Sequence, residues 1–151
     1  MFLKKNYLSM KNNEIKHGFF TRLDGLSKKQ FNSLNCSISN GDNKKIVFKN
    51  RLIAMQNLQL DDKKLILIKQ THSSKVIRIN KKNSNKHLEA DGMITSLNNI
   101  VLGVLTADCA PIFIYDDANK FVCSLHSGWK GTLNNISQKA VKLFDKYNVK
   151  S

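Results

Sequence analysis

The sequence predicts an α/β or α+β sandwich, and two observations carry that expectation. Short β-rich apolar runs follow one another through the middle of the chain, each bounded by Gly, Asn, Asp or Lys-rich stretches. Two further segments place apolar residues at helical spacing. Grouped strands with two helices argue against a helical bundle. At 151 residues, one domain spanning 1–151 is the natural expectation, and the chain is long enough for a real hydrophobic core.

Taken in order, IKHGFFTR (15–22) reads as a short strand and 24–43 as loop with turn signals. Ile46, Val47, Ile53, Met55 and Leu58 predict a helix over 43–58. LILIK (65–69) and VIRIN (76–80) are strands flanking QTHSSK, and the Lys- and Asn-rich 81–90 is a solvated loop. DGMIT (91–95), IVLGVLTA (100–107), PIFIYD (111–116) and KFVCSLH (120–126) complete the strands. Asp116, Asp117, Ala118 and Asn119 suit a hairpin connection between the last two. Leu133, Ile136, Ala140, Leu143 and Tyr147 recur at spacings of three and four, predicting a helix over 132–147 with Thr132 as N-cap.

The formal net charge is +14, which invites a nucleic-acid reading. The distribution argues against it. The cations are 22 lysines and three arginines (Arg22, Arg51, Arg78), with the lysines spread along nearly the whole chain. Base readout favours the arginine fork, and single-strand readers need exposed aromatics among their basic residues. No apolar run approaches the roughly 18–20 residues that cross a bilayer, so no membrane partner is expected. The first 18 residues lack the apolar middle of a secretory signal, and a cytoplasmic location is the expectation. Three cysteines, Cys36, Cys109 and Cys123, cannot all pair within one chain, which speaks against a disulfide framework.

His72 lies between two predicted strands, Cys109 follows the apolar run IVLGVLTAD, and His126 ends a strand. Scaffolds place working side chains at such positions. Two imidazoles and a thiolate form a ligand set for zinc, and three protein ligands leave a fourth position for water or substrate. Structural zinc would call for four ligands in paired short spacings such as C-x2-C, which the chain lacks. Separations of 37 and 17 residues do not by themselves bring the three together. Cys109 could equally be a nucleophile with His72 or His126 as base, and the adjoining Asp108 could orient a histidine. Cys123 alternates with Phe121 and Leu125 on one strand face and reads as a buried structural thiol. Cys36 lies in a loop with no nearby His in sequence, and His17 and His87 stand in no chemical motif, so surface or structural roles are expected for both. His87-Leu88-Glu89 matches the first half of the zinc deaminase signature, but the P-C-x-x-C half is missing. Gly128-Trp129-Lys130-Gly131 opens the last helix. It is either an anion-binding turn, with Lys130 beside free amides, or a plain strand-to-helix turn; a Walker motif is absent.

HGFFTR (17–22), NR (50–51), KQTHSSKV (69–76), ADGMIT (90–95), LTADCAPI (105–112) and HSGWKGT (126–132) together resemble the laccase-domain (YfiH-like) family. Its members were described first as multicopper polyphenol oxidoreductases and later as purine nucleoside phosphorylases. The ordered trio QTH, TADC and HSGWKG is the specific element. The resemblance implies an α/β sandwich with a mixed sheet and flanking helices, and a zinc site made by His72, Cys109 and His126. Copper belongs to the older description, and the chain has no cluster of additional histidines to hold several coppers. The implied activity is phosphorolysis of adenosine, inosine and methylthioadenosine, with adenosine deamination as a second activity. Purine nucleosides and phosphate are then the partners. Lys130 and Arg51 are the candidates for phosphate, Gln70 for substrate, and Asp108 for proton transfer or ligand orientation. Family members continue past the helix that follows HSGWKG, so the resemblance makes 1–151 an N-terminal portion of such a domain. The other reading is a zinc-binding or interaction protein without turnover.

Overall fold

The structure is a computed structural model that describes residues 8–9, 14–116 and 121–148. The chain divides into two compact units, 1–63 and 64–151.

In the first unit a two-residue antiparallel pair joins β1 (Leu8–Ser9) to β2 (Glu14–Ile15). The strand expected over 15–22 is therefore confined to its first residue. Residues 16–22 form no ladder, and Phe19 and Phe20 stay exposed. Residues 24–43 are loop as expected, apart from one 3-10 turn at Lys29–Phe31. Helix α1 (Lys44–Asn57) begins at Asn43, whose side chain accepts from the Lys45 amide at 2.9 Å. On its inner face Asn50 is fully buried. Its amide donates to Ser27 Oγ and to the Ser33 and Asn35 carbonyls, and its oxygen accepts from the Leu26 amide. Every polar atom of that side chain thus has a partner, as burial demands.

The second unit holds a mixed arrangement of parallel and antiparallel strands. β3 (Lys64–Leu67) pairs in parallel with β6 (Ile100–Gly103). A four-stranded sheet has the order β4 (Val76–Arg78), β5 (Gly92–Thr95), β8 (Val122–Ser127), β7 (Ala110–Tyr115). β4 and β5 are parallel, while β5–β8 and β8–β7 are antiparallel. Six of the predicted strands are therefore present, and the fold is the mixed sheet with flanking helices that the resemblance implies. Residues 117–119 of the expected hairpin connection lie outside the described residues.

All four residues of β5 are buried, which a strand covered on both faces requires. Its alternation splits the interior. Ile94 faces a cluster of Phe121, Cys123, Leu125, Ile136, Ala140 and Phe144, and Met93 faces Ile66, Ile79 and Ile100. Ile136, Ala140 and Phe144 come from α3 (Ile136–Asn148), which lays its apolar stripe on the sheet.

The helix predicted as one piece over 132–147 is instead two. α2 (Trp129–Leu133) starts at Gly128, and Asn135 takes a left-handed backbone (φ 56°) that breaks the run before α3. Thr132 lies inside α2 and is not an N-cap. Its hydroxyl bonds the Gly128 carbonyl at 3.0 Å and meets Ser127 Oγ at 2.9 Å. Leu133, read as core from its spacing, is 72% exposed because the break turns it away from the sheet.

Candidate metal centre

Strand directions bring the candidate residues to one end of the four-stranded sheet. β4 and β5 run parallel and so begin together. β8, antiparallel to β5, finishes where they begin, and β7, antiparallel to β8, starts there. The loop before β4 carries His72, the residue before β7 is Cys109, and the penultimate residue of β8 is His126. In register, Pro111 lies opposite His126 and Ala110 opposite Ser127, which leaves Cys109 beside the end of β8.

Residues 37 and 17 apart in sequence thereby become neighbours. One ligand atom from each of His72, Cys109 and His126 lies within 4.8 Å of the others. The two imidazoles meet edge to face, with centroids 4.9 Å apart and planes at 84°. His126 is buried, Cys109 half-buried and His72 exposed, so the cluster is closed at its base and open on the His72 side. Tetrahedral zinc, with bonds of about 2.0–2.3 Å, spaces its ligand atoms about 3.3–3.8 Å apart. Side-chain shifts on the order of an ångström accommodate that spacing.

A residue that the motif reading assigned no role organises the cluster. Asp91, fully buried just before β5, accepts from three consecutive backbone amides: Thr71 at 3.2 Å, His72 at 3.0 Å and Ser73 at 2.6 Å. The Thr71 and Ser73 hydroxyls add bonds of 3.2 and 2.7 Å. His126 Nδ1 lies 2.8 Å from the same carboxylate, which turns Nε2 toward the other two ligands. The nest of amides also offsets the left-handed backbone of His72 (φ 56°), a conformation that His adopts more readily than most residues. Burial by itself would raise the Asp91 pKa. The hydrogen bonds from Ser73, His126 and the Ser73 and Thr71 amides outweigh it and bring the value down to about 2. A single carboxylate thus positions two of the three residues of the cluster. The available signal was an acidic residue heading an otherwise apolar strand, because a charge is buried only where it is paired.

Gly128 closes the base of the cluster. A Cβ there would stand 3.1 Å from His72 Cδ2, 3.4 Å from Cys109 Sγ and 3.8 Å from His126 Cε1, so any side chain at 128 would crowd His72 and reach into the cluster. Gly131 allows a similar approach three residues later, where a Cβ would meet the Ser73 carbonyl oxygen at 3.1 Å.

The other predicted site residues are placed differently. Gln70 clamps Leu105, its Nε2 donating to the Leu105 carbonyl at 2.7 Å and its Oε1 accepting from the Leu105 amide at 2.8 Å, which anchors the loop that carries His72. Asp108 is exposed beside Cys109. Lys130 is exposed on α2, with Nζ 5.3 Å from the Trp129 ring centroid. Arg51 belongs to the first unit, where its Nε donates to the Cys36 carbonyl at 2.8 Å and its guanidinium lies over Phe48. His17 and His87 are in no metal-ligand cluster among the described residues.

The cysteines differ in environment. Burial pushes the Cys123 thiol up to about 12, in keeping with the structural role expected of it, and burial also raises Cys36 against the opposing effect of Arg51. Alkylation at neutral pH, followed by peptide mass mapping, is therefore expected to label Cys109 first and Cys123 only after unfolding. Bound metal should protect Cys109. Labelling of Cys109 at equal rates with and without saturating zinc would remove it from the ligand set.

The family described as multi-copper polyphenol oxidoreductase laccase matches residues 16–151. Among curated relatives, purine nucleoside phosphorylase YlmD of Bacillus subtilis is 32% identical over 87% of this chain and 50% of its own length. The purine nucleoside phosphorylase of Haemophilus influenzae is 35% identical over 85% of this chain and 52% of its own length. Among solved structures, YlmD from Geobacillus stearothermophilus superposes with a TM-score of 0.78 at 25% identity, covering 86% of this chain and 51% of that one. YfiH of Bacillus licheniformis gives 0.75 at 27% identity, covering 85% and 51%. The chain spans about half the length of the curated relatives it matches.

Proposed function

We propose that this chain, which belongs to the multi-copper polyphenol oxidoreductase laccase family, binds zinc and works in the phosphorolysis of purine nucleosides. The observation that carries this reading is the meeting of His72, Cys109 and His126 within 4.8 Å, open on one side. The names of the relatives support the substrate class.

The donor set fits zinc: two neutral imidazoles, one of them backed by a carboxylate, and one thiolate. Mononuclear copper also takes His2Cys, in trigonal sites completed by a weak axial donor that is most often methionine. The one methionine of the second unit, Met93, is buried among Ile66, Ile79 and Ile100. Several coppers would need more imidazoles than this cluster brings together. Zinc held by Cys109 Sγ and one nitrogen each of His72 and His126 would supply Lewis-acid polarisation of an oxygen at the open position.

In phosphorolysis a phosphate oxygen bonds to the anomeric carbon of the ribose. The glycosidic bond to nitrogen breaks, and the base leaves with the electron pair and takes up a proton. Lys130, on the helix that starts beside the cluster, is the cation of this unit assigned to phosphate. Asp108, exposed next to Cys109, is assigned to the proton at the departing base. Gln70 acts through its hold on Leu105, which keeps the His72 loop in position.

The test uses the purified chain with its metal content measured. Adenosine and phosphate are expected to yield adenine and ribose 1-phosphate in equal amounts, with no adenine formed when phosphate is omitted; inosine formation scores the deaminase activity. A folded, zinc-loaded chain that turns over neither adenosine nor inosine would overturn the enzyme reading in favour of a zinc-binding protein without turnover.

A further inference from the structure

We infer that Trp129 is the platform on which the base of the nucleoside stacks, an inference that rests on the purine nucleoside reading above. Trp129 is the chain's only tryptophan, and it is 67% exposed. Indole carries a large apolar area that proteins ordinarily bury. This one is kept outside at a particular place. It follows Gly128, where an added Cβ would come within 3.1–3.8 Å of all three residues of the cluster. Gly131 then brings the same helix against the Ser73 carbonyl. The backbone that carries the indole is thus pinned on both sides to the site.

Lys130 Nζ lies 5.3 Å from the indole centroid, a cation–π contact that holds the ring and puts positive charge beside it. A flat ring beside a cation, carried by the residue that follows Gly128 at the open cluster, suits a ligand with a flat base, a sugar and an anionic co-substrate. Stacking accepts any purine, because every base offers a π face. The platform would therefore favour purine over pyrimidine nucleosides only through the larger face of the bicyclic base, and would not choose among purines. Leu133, 72% exposed one turn further along α2, is the control: it shares the helix and the exposure but has no π face.

A single tryptophan makes the test direct. Adenosine is titrated into the zinc-loaded chain while tryptophan fluorescence and binding by equilibrium dialysis are followed in parallel. Quenching that tracks occupancy is expected, with no quenching by ribose 1-phosphate. Binding of adenosine with unchanged fluorescence would overturn the platform and leave the phosphorolysis reading standing. Failure of adenosine to bind at all would overturn both. In turnover, Trp129→Ala is expected to raise the KM for adenosine about 10- to 100-fold, with zinc content and kcat little changed, while Trp129→Phe stays near wild type. Leu133→Ala should leave the KM unaltered. An equal effect of Leu133→Ala would overturn the platform in favour of an apolar ridge covered by another chain.

Discussion

Replacing Asp91 by Asn is expected to lower the melting temperature of the metal-free chain by about 6–12 °C and to weaken zinc binding about 10- to 100-fold. The substitution keeps size and shape but changes what the side chain can accept. The carboxylate takes bonds from the Thr71, His72 and Ser73 amides, from two hydroxyls and from the His126 ring. In Asn one of those oxygens becomes an NH2 group, a donor set among donors. Hydrogen bonds to a charged group contribute about 1.5–3 kcal/mol each, and orphaned buried donors add their desolvation, so a loss of about 3 kcal/mol is a conservative figure. Both histidines loosen at once, His72 through its backbone and His126 through its ring.

Acid titration supplies a second readout of the same substitution. The Asp91 pKa lies at about 2, below its ordinary value of 3.8. Its contribution is therefore complete above about pH 4 and is lost as pH falls toward 2. The Asn variant should lack that component of the acid limb. Unchanged melting temperature and unchanged zinc affinity in Asp91→Asn would show that the carboxylate positions neither histidine.

Replacing Cys109 by Ala is expected to take the metal content from about one ion per chain to near zero, and phosphate-dependent adenine release down by about 100- to 10,000-fold. Two imidazoles without the thiolate do not hold zinc at ordinary free concentrations. Stability of the metal-free chain should hardly move, because Cys109 is half-buried at a strand end and belongs to neither apolar cluster. That separation distinguishes a ligand from a packing residue. A Cys109→Ala chain that retained its zinc would exclude the thiolate as a ligand. One that lost zinc yet kept full turnover would detach the metal from the reaction.

The strands of the second unit were legible because each is a run of β-branched and large apolar residues closed off by turn formers, and burial of those residues is what holds the sheet. IKHGFFTR misled for a physical reason. Its phenylalanines look like strand residues, but a ladder needs a partner backbone, and only Ile15 finds one. The last helix misled through its own regularity. The spacing of three and four runs unbroken from Leu133 to Tyr147, while the Asn134-Asn135 pair that ends α2 reports on backbone conformation rather than on hydrophobicity. Turn chemistry outweighed periodicity there.

Of the site, His72, Cys109 and His126 could be named from their residue types and motifs, but their meeting depends on strand directions that no local pattern encodes. Asp91 was missed because it lies 19 residues from His72 and 35 from His126, in a segment read only for its strand. Gln70 was noticed for its place beside His72. Its bonds to Leu105 follow from the parallel pairing of β3 with β6, continued just past the ends of both strands, and sequence adjacency does not reveal that pairing.

The nest around Asp91 also bears on how fast an ion is captured. It consists wholly of hydrogen bonds within the chain, so the His72 loop and the His126 ring acquire their orientation during folding. A cation arriving at His72, Cys109 and His126 would then meet side chains that need only small rotations. The slow events would be shedding of its own hydration shell and approach to a chain whose net charge is +14. Capture of a metal ion at this cluster would then depend on ion dehydration and ionic strength.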